Sequence, residues 1–138
     1  MTVSPNSNTT VPSLTKTLRV LGTILLLGGA GHTVGVAHLY FTAGLPETNR
    51  IMLDLWVAEA QLLAGSLYLV ASRGGTRSHA LVVFGAVTTF GFAVPILPLL
   101  VSRAPVAFIT APIVYILAST YILAGLSRSK RARSTQVG

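Results

Sequence analysis

Four ionisable side chains lie inside long apolar stretches of the chain: His32, His38, Asp54 and Glu59. Carboxylates and imidazoles can serve as the general base and general acid of proton-transfer reactions, and an apolar environment shifts their proton affinities. Such groups are costly to bury, so their presence in an apolar segment is typical of a functional site. The candidate catalytic residues are Glu59 and His32, then Asp54 and His38, and the candidates for orienting a substrate are Gln61 and Tyr68.

The two histidines and the two acids match in depth when each apolar stretch forms a helix. Counted from the outer ends of the first two stretches, His38 and Asp54 lie three residues in, or about 4.5 Å. His32 and Glu59 lie nine and eight residues in, or about 12–13.5 Å. A histidine–carboxylate pair at each depth would reduce the cost of burial. The two acids lie about 140° apart around their helix, so one is at the edge of a shared face or there are two sites.

Each of these side chains can also have a purely structural role. Asp54 follows Arg50 by four residues, so the two can form an ion pair near the helix end. His38 can be an interfacial polar residue, and His32 and Glu59 can join helices by hydrogen bonds. The four candidate groups face too many directions for one compact metal site, and the chain has no HExxH, GxGxxG, P-loop or serine-elbow motif. We therefore expect neither a metal nor a cofactor.

The elements that position these groups follow from composition. Hydrophobic residues make up 51% of the 138 residues and charged residues 9%, whereas a soluble domain has about 25% charged residues. Four nearly uncharged stretches are long enough to cross a hydrocarbon core of about 30 Å as helices: residues 20–41, 51–72, 80–102 and 104–127. They lack the period-2 alternation of membrane strands. The sequence predicts an all-α, membrane-embedded four-helix bundle in contact with the lipid bilayer, and excludes an ordinary soluble enzyme.

Basic residues predict the orientation of this bundle. The N-terminal segment, the 73–79 loop and the C-terminal tail together contain eight Lys and Arg residues, and the opposite side contains Arg50 and Arg103. The positive-inside rule therefore predicts a multi-pass integral membrane protein with both termini in the cytosol. The net charge of +7 serves this anchoring, so we expect no nucleic-acid partner. The expected domains are a disordered tail (1–15), the four-helix domain (16–127) and a basic cytosolic tail (128–138).

Glycines and prolines indicate how the predicted helices pack. Gly31 and Gly35 are in GxxxG spacing on the first helix, a pattern that permits close helix approach and favours a homodimer through this face. Three prolines are expected to kink the third and fourth helices in their outer halves: Pro95, Pro98 and Pro112. Kinks at the depth of the histidines and acids would open a pocket toward the outer leaflet.

The segment Leu18–His32 combines a basic residue, a leucine run, several glycines and a final histidine. It resembles the first helix of small four-helix DoxX-like membrane proteins, some of which are tied to quinone or thiol oxidation. This chain has no cysteine, which argues against a thiol-linked role. The layout is also similar to that of four-helix sterol isomerases and of small membrane enzymes of fungal secondary metabolism, which place acids and histidines in a lipid-facing cavity. No motif of those enzymes matches residue by residue, so no catalytic role carries over.

Three functions stay open at this point. The first is an intramembrane His/carboxylate site that binds a lipophilic small molecule or converts it by isomerisation, cyclisation or epoxide opening. The second is a small proton-coupled transporter, in which the deep carboxyl group of Glu59 exchanges the proton. The third is a non-catalytic accessory subunit whose polar residues only join helices.

Overall fold

The chain folds into four α-helices. The computed structural model describes residues 12–43, 48–74, 78–103 and 106–134. The helices are α1 (Pro12–Ala43), α2 (Thr48–Ser72), α3 (Ser78–Arg103) and α4 (Val106–Ser134). Each contains a stretch long and apolar enough to cross a membrane: Leu14–Thr42, Met52–Ser72, Ser78–Pro98 and Ile109–Arg128. The predicted all-α class and four-helix layout are confirmed.

The helices extend beyond the apolar stretches that predicted them. α1 begins at Pro12, where the fixed φ of proline suits the first turn, so residues 12–15 of the expected tail are helical. α4 continues to Ser134 because Lys and Arg are good helix formers and are favourable near a helix C-terminus. Residues 1–11 and 135–138, the remainder of the two predicted tails, lie outside the described residues.

Each helix packs against the next one in the chain, and α1 has fewer contacts with α4 than the consecutive pairs have with each other. A Cβ added at Gly125 would lie 3.5 Å from Cδ1 of Leu14, so α1 meets α4 at the end where α1 begins. A stripe of buried leucines runs along α1 from there: Leu14, Leu18, Leu21 and Leu25. After Gly29, none of the described α1 side chains up to Thr42 is buried. The second half of α1 therefore contributes no buried side chain to the core in the described residues.

Glycines bring the backbones of α1 and α2 into close contact. A Cβ at Gly22 would lie 2.9 Å from the carbonyl oxygen of Gly65, and one at Gly65 would lie 2.8 Å from that of Gly22. A Cβ at Gly29 would lie 2.9 Å from the carbonyl oxygen of Ala58. Gly22 faces Gly65, whereas Gly29, which comes later in α1, faces Ala58, which comes earlier in α2. The two helices are therefore antiparallel. Only glycine allows the backbones to approach this closely.

The GxxxG glycines and the three prolines noted in the sequence do not form this contact between α1 and α2. Gly31 and Gly35 are exposed, and a Cβ at either would meet nothing within 4 Å among the described atoms, so they do not pack the helices of this chain. α3 continues through its two prolines, and α4 through its one.

Candidate functional site

A histidine of α1 and a glutamine of α2 form a polar contact between these helices. Nδ1 of His32 lies 2.8 Å from Oε1 of Gln61, within hydrogen-bond distance. Gln61 is only 4% exposed, so its amide would be costly to leave without a partner. A Cβ at Gly28 would lie 3.5 Å from Nε2 and from Oε1 of Gln61, an ordinary contact distance, so the amide lies directly against α1 here. Two of the sequence-predicted site residues are therefore brought together.

His32 lies on the core-facing stripe of α1 and is nevertheless exposed. It follows Leu21 by eleven residues and Leu25 by seven, which places it within about 20° of each around the helix. Both leucines are buried, whereas His32 is exposed. α1 meets α4 near Leu14, and none of its described side chains from Ala30 to Thr42 is buried. We call the exposed surface of α1 around His32 the lateral opening.

The hydrogen bond to Gln61 uses Nδ1 of the His32 ring, and the roles of the two ring nitrogens depend on the tautomer. In the tautomer with the proton on Nδ1, that nitrogen donates to Oε1 of Gln61 and Nε2 is free to accept a hydrogen bond. Because the His32 side chain is exposed, a molecule in the lateral opening can approach the ring.

Asp54 lies on the same face of α2 as Gln61, closer to the beginning of the helix. The two are seven residues apart, which corresponds to about 20° around the helix and about 10.5 Å along it. Asp54 is half-buried. The side chain of Arg50, its predicted ion-pair partner, lies outside the described residues. This face of α2 thus presents a carboxyl group two turns from the buried amide.

Glu59 and His38 are not brought to this site. Glu59 precedes Gln61 by two residues and therefore lies about 160° away from it around α2. Its side chain is exposed, and within the described part of the chain it forms no hydrogen bond or ion pair. His38 is also exposed, about 120° from His32 around α1. The expected pairing of His32 with Glu59 is thus replaced by the pairing of His32 with Gln61.

Tyr68 belongs to a separate polar cluster in the interior. Its hydroxyl oxygen lies 3.0 Å from Oγ of Ser119 and 3.4 Å from Oγ1 of Thr89. Thr89 donates its own proton to the carbonyl oxygen of Gly85, at 2.7 Å, and can accept from Tyr68. All three side chains of the cluster are fully buried. The Tyr68 hydroxyl therefore joins α2, α3 and α4 and is bonded to protein groups, rather than offered to a substrate.

The sequence marks Thr89 and Ser119 only as hydroxyl side chains that can bond across helices or to their own helical turn. The signal that marks them is a hydroxyl inside an apolar span, where the group needs a protein partner because water is absent. Which partner each one takes depends on the packing of three helices, and helix periodicity does not contain that information.

Within the described residues, no group of three or more His, Asp or Glu side chains is placed to hold a metal ion. No known protein family, curated protein or solved structure matches the chain. The DoxX-like resemblance of Leu18–His32 stays a prediction.

Proposed function

We propose that the chain is a multi-pass integral membrane protein, with both termini in the cytosol, that binds a lipophilic small molecule at the His32–Gln61 pair. One observation carries the proposal. A core-facing histidine is exposed at the lateral opening, while its ring is held by the amide of a buried glutamine. A histidine that only filled the core would be enclosed like Leu21 and Leu25 on the same stripe.

The arrangement favours a ligand with an apolar body and at least one hydrogen-bond donor. The apolar body enters the lateral opening from the hydrocarbon region of the bilayer. A hydroxyl group of the ligand then donates to Nε2 of His32, and in an apolar medium water does not compete for that bond. Gln61 contributes by holding the ring in the tautomer whose Nε2 accepts.

Conversion of the ligand would need a second group besides the His32–Gln61 pair. Nε2 of His32 would be the base for isomerisation, cyclisation or epoxide opening, and half-buried Asp54, about 10.5 Å from Gln61 along the same face of α2, would be the acid. Binding requires only the His32–Gln61 contact. We therefore propose binding first and conversion as the step that depends on it.

Co-purification tests the binding function. Wild-type protein, His32→Leu and a control, His79→Leu at the start of α3, are expressed in one host and extracted in mild detergent. Lipophilic compounds retained by each protein are identified by mass spectrometry. We expect a compound retained by wild type and control and reduced about tenfold in His32→Leu, the effect of losing one hydrogen bond in an apolar site. Identical profiles for three equally helical proteins would refute the proposal.

A further inference from the structure

The exposed side chains of α2 between Met52 and Val70 form one narrow stripe on the side away from the core. They follow one another at alternating intervals of four and three residues. This is the spacing by which one helix packs along another in a left-handed pair. We call the stripe the α2 seam, and its members are Met52, Trp56, Glu59, Leu63, Ser66 and Val70.

Glu59 is the ionisable member of the α2 seam and lies well inside the span. It is seven residues from Met52, the first residue of the membrane-length stretch, which corresponds to about 10.5 Å. Its seam neighbours Trp56 and Leu63 are apolar and exposed. Among the residues that the structure describes, Glu59 has no hydrogen-bond or ion-pair partner. A carboxyl group facing hydrocarbon without a partner is costly whether it is charged or neutral.

We propose that a second copy of the chain covers the α2 seam, with the two α2 helices parallel about a two-fold axis along the membrane normal. Two-fold symmetry brings each seam residue beside its own counterpart at the same depth. The two Glu59 side chains then lie beside each other, where one carboxyl group can donate a hydrogen bond to the other. Trp56 and Leu63 pack on either side and exclude lipid from this bond.

The charge distribution favours a second copy in this register. Every described Lys and Arg lies near a helix end or beyond it, so an identically oriented copy brings no Lys or Arg to the depth of Glu59. His32 is at a similar depth but is bonded to Gln61, on the opposite side of α2 from the seam, so the group that the copy brings to Glu59 is its own Glu59. Gly31 and Gly35 on α1 are also exposed, but that face has no unpartnered carboxyl group to satisfy, so the α2 seam is the stronger candidate for the dimer.

Disulfide cross-linking tests the proposal directly, because the chain has no cysteine of its own. Single cysteines are placed on the α2 seam (Leu63→Cys), on the glycine face of α1 (Gly35→Cys) and on the exposed face of α3 (Val87→Cys). The proteins are oxidised in native membranes with a membrane-permeant catalyst. We expect a disulfide-linked dimer of twice the monomer mass for Leu63→Cys and monomers for the other two variants.

Two changes at Glu59, made in the Leu63→Cys protein, test the carboxyl pair. Glu59→Leu removes the interhelical hydrogen bond and should lower the cross-linked fraction about tenfold upon dilution into excess lipid. Glu59→Gln keeps a donor and an acceptor and should retain the dimer. The proposal is overturned if Leu63→Cys forms no dimer, links to a different protein, or cross-links equally with Glu59→Leu, and also if Gly35→Cys cross-links instead. Unchanged helical circular dichroism confirms that each variant is folded.

Discussion

The close contact of α1 with α2 makes a sharp prediction for Gly65→Ala. The added Cβ would lie 2.8 Å from the carbonyl oxygen of Gly22 and 2.9 Å from the backbone nitrogen of Leu26. Ordinary contact begins about 0.5 Å further out, and overpacking of this kind costs about 1–3 kcal/mol. The third near atom is Cγ of Leu26, at 2.9 Å, but because the other two are backbone the helices must separate to relieve the contact. Gly35→Ala is the matched control, since a Cβ there meets nothing within 4 Å among the described atoms.

The control removes the effect of helix propensity from the comparison. Alanine favours a helix over glycine by about 1 kcal/mol, and both variants gain this amount. Gly65→Ala should therefore have a free energy of unfolding about 1–3 kcal/mol below that of Gly35→Ala. Reversible unfolding in mixed micelles, followed by circular dichroism, measures both values. Equal stability of the two variants, or a more stable Gly65→Ala, would refute the close contact of α1 with α2.

Two further predictions concern the polar groups between helices. Tyr68→Phe removes the hydroxyl that joins α2 to Thr89 and Ser119, and should lower the free energy of unfolding by about 0.5–2 kcal/mol. Tyr121→Phe, at an exposed position, should change it little in the same unfolding experiment. Gln61→Leu removes the acceptor of the His32 ring proton and should weaken retention of the co-purifying lipophile about tenfold. Retention equal to wild type, by mass spectrometry, would show that the ring needs no such support.

The four helices could be predicted because Lys and Arg are absent from the membrane-length segments. The gaps between basic residues marked each span, and the structure has a helix in every one of them. The helix ends were less predictable. Helical geometry does not stop where the apolar stretch stops, so α1 begins at Pro12 and α4 continues to Ser134.

The sequence predicted how far along each helix the site residues lie, but only partly the direction in which their side chains face. Glu59 and Gln61 differ in depth by about 3 Å, so depth did not distinguish them as partners of His32. They lie on opposite sides of α2, and Gln61 is on the side that meets α1. Helix periodicity places Gln61 and Asp54 on one face of α2. It does not predict which helix packs against that face, because this depends on the tertiary structure.

The glycine contacts illustrate the same difficulty. The GxxxG spacing of Gly31 and Gly35 drew attention to one face of α1, whereas the close contact uses Gly22 and Gly29, seven residues apart. Both patterns are compatible with helix packing, because each repeats on one face. The contact forms at Gly22 because Gly65 of α2 faces it, and close approach requires small residues on both helices.

The most direct test of the proposed binding site is photolabelling in lipid bilayers with a long-chain alcohol that carries a diazirine. The sites of labelling are mapped by peptide mass spectrometry in wild type and in His32→Leu, with the methyl ether of the same alcohol as the control that lacks a donor. We predict labelling concentrated near His32, lost in His32→Leu and weak with the ether. Labelling spread evenly over the exposed helix faces, unchanged in His32→Leu, would contradict a binding site at the lateral opening.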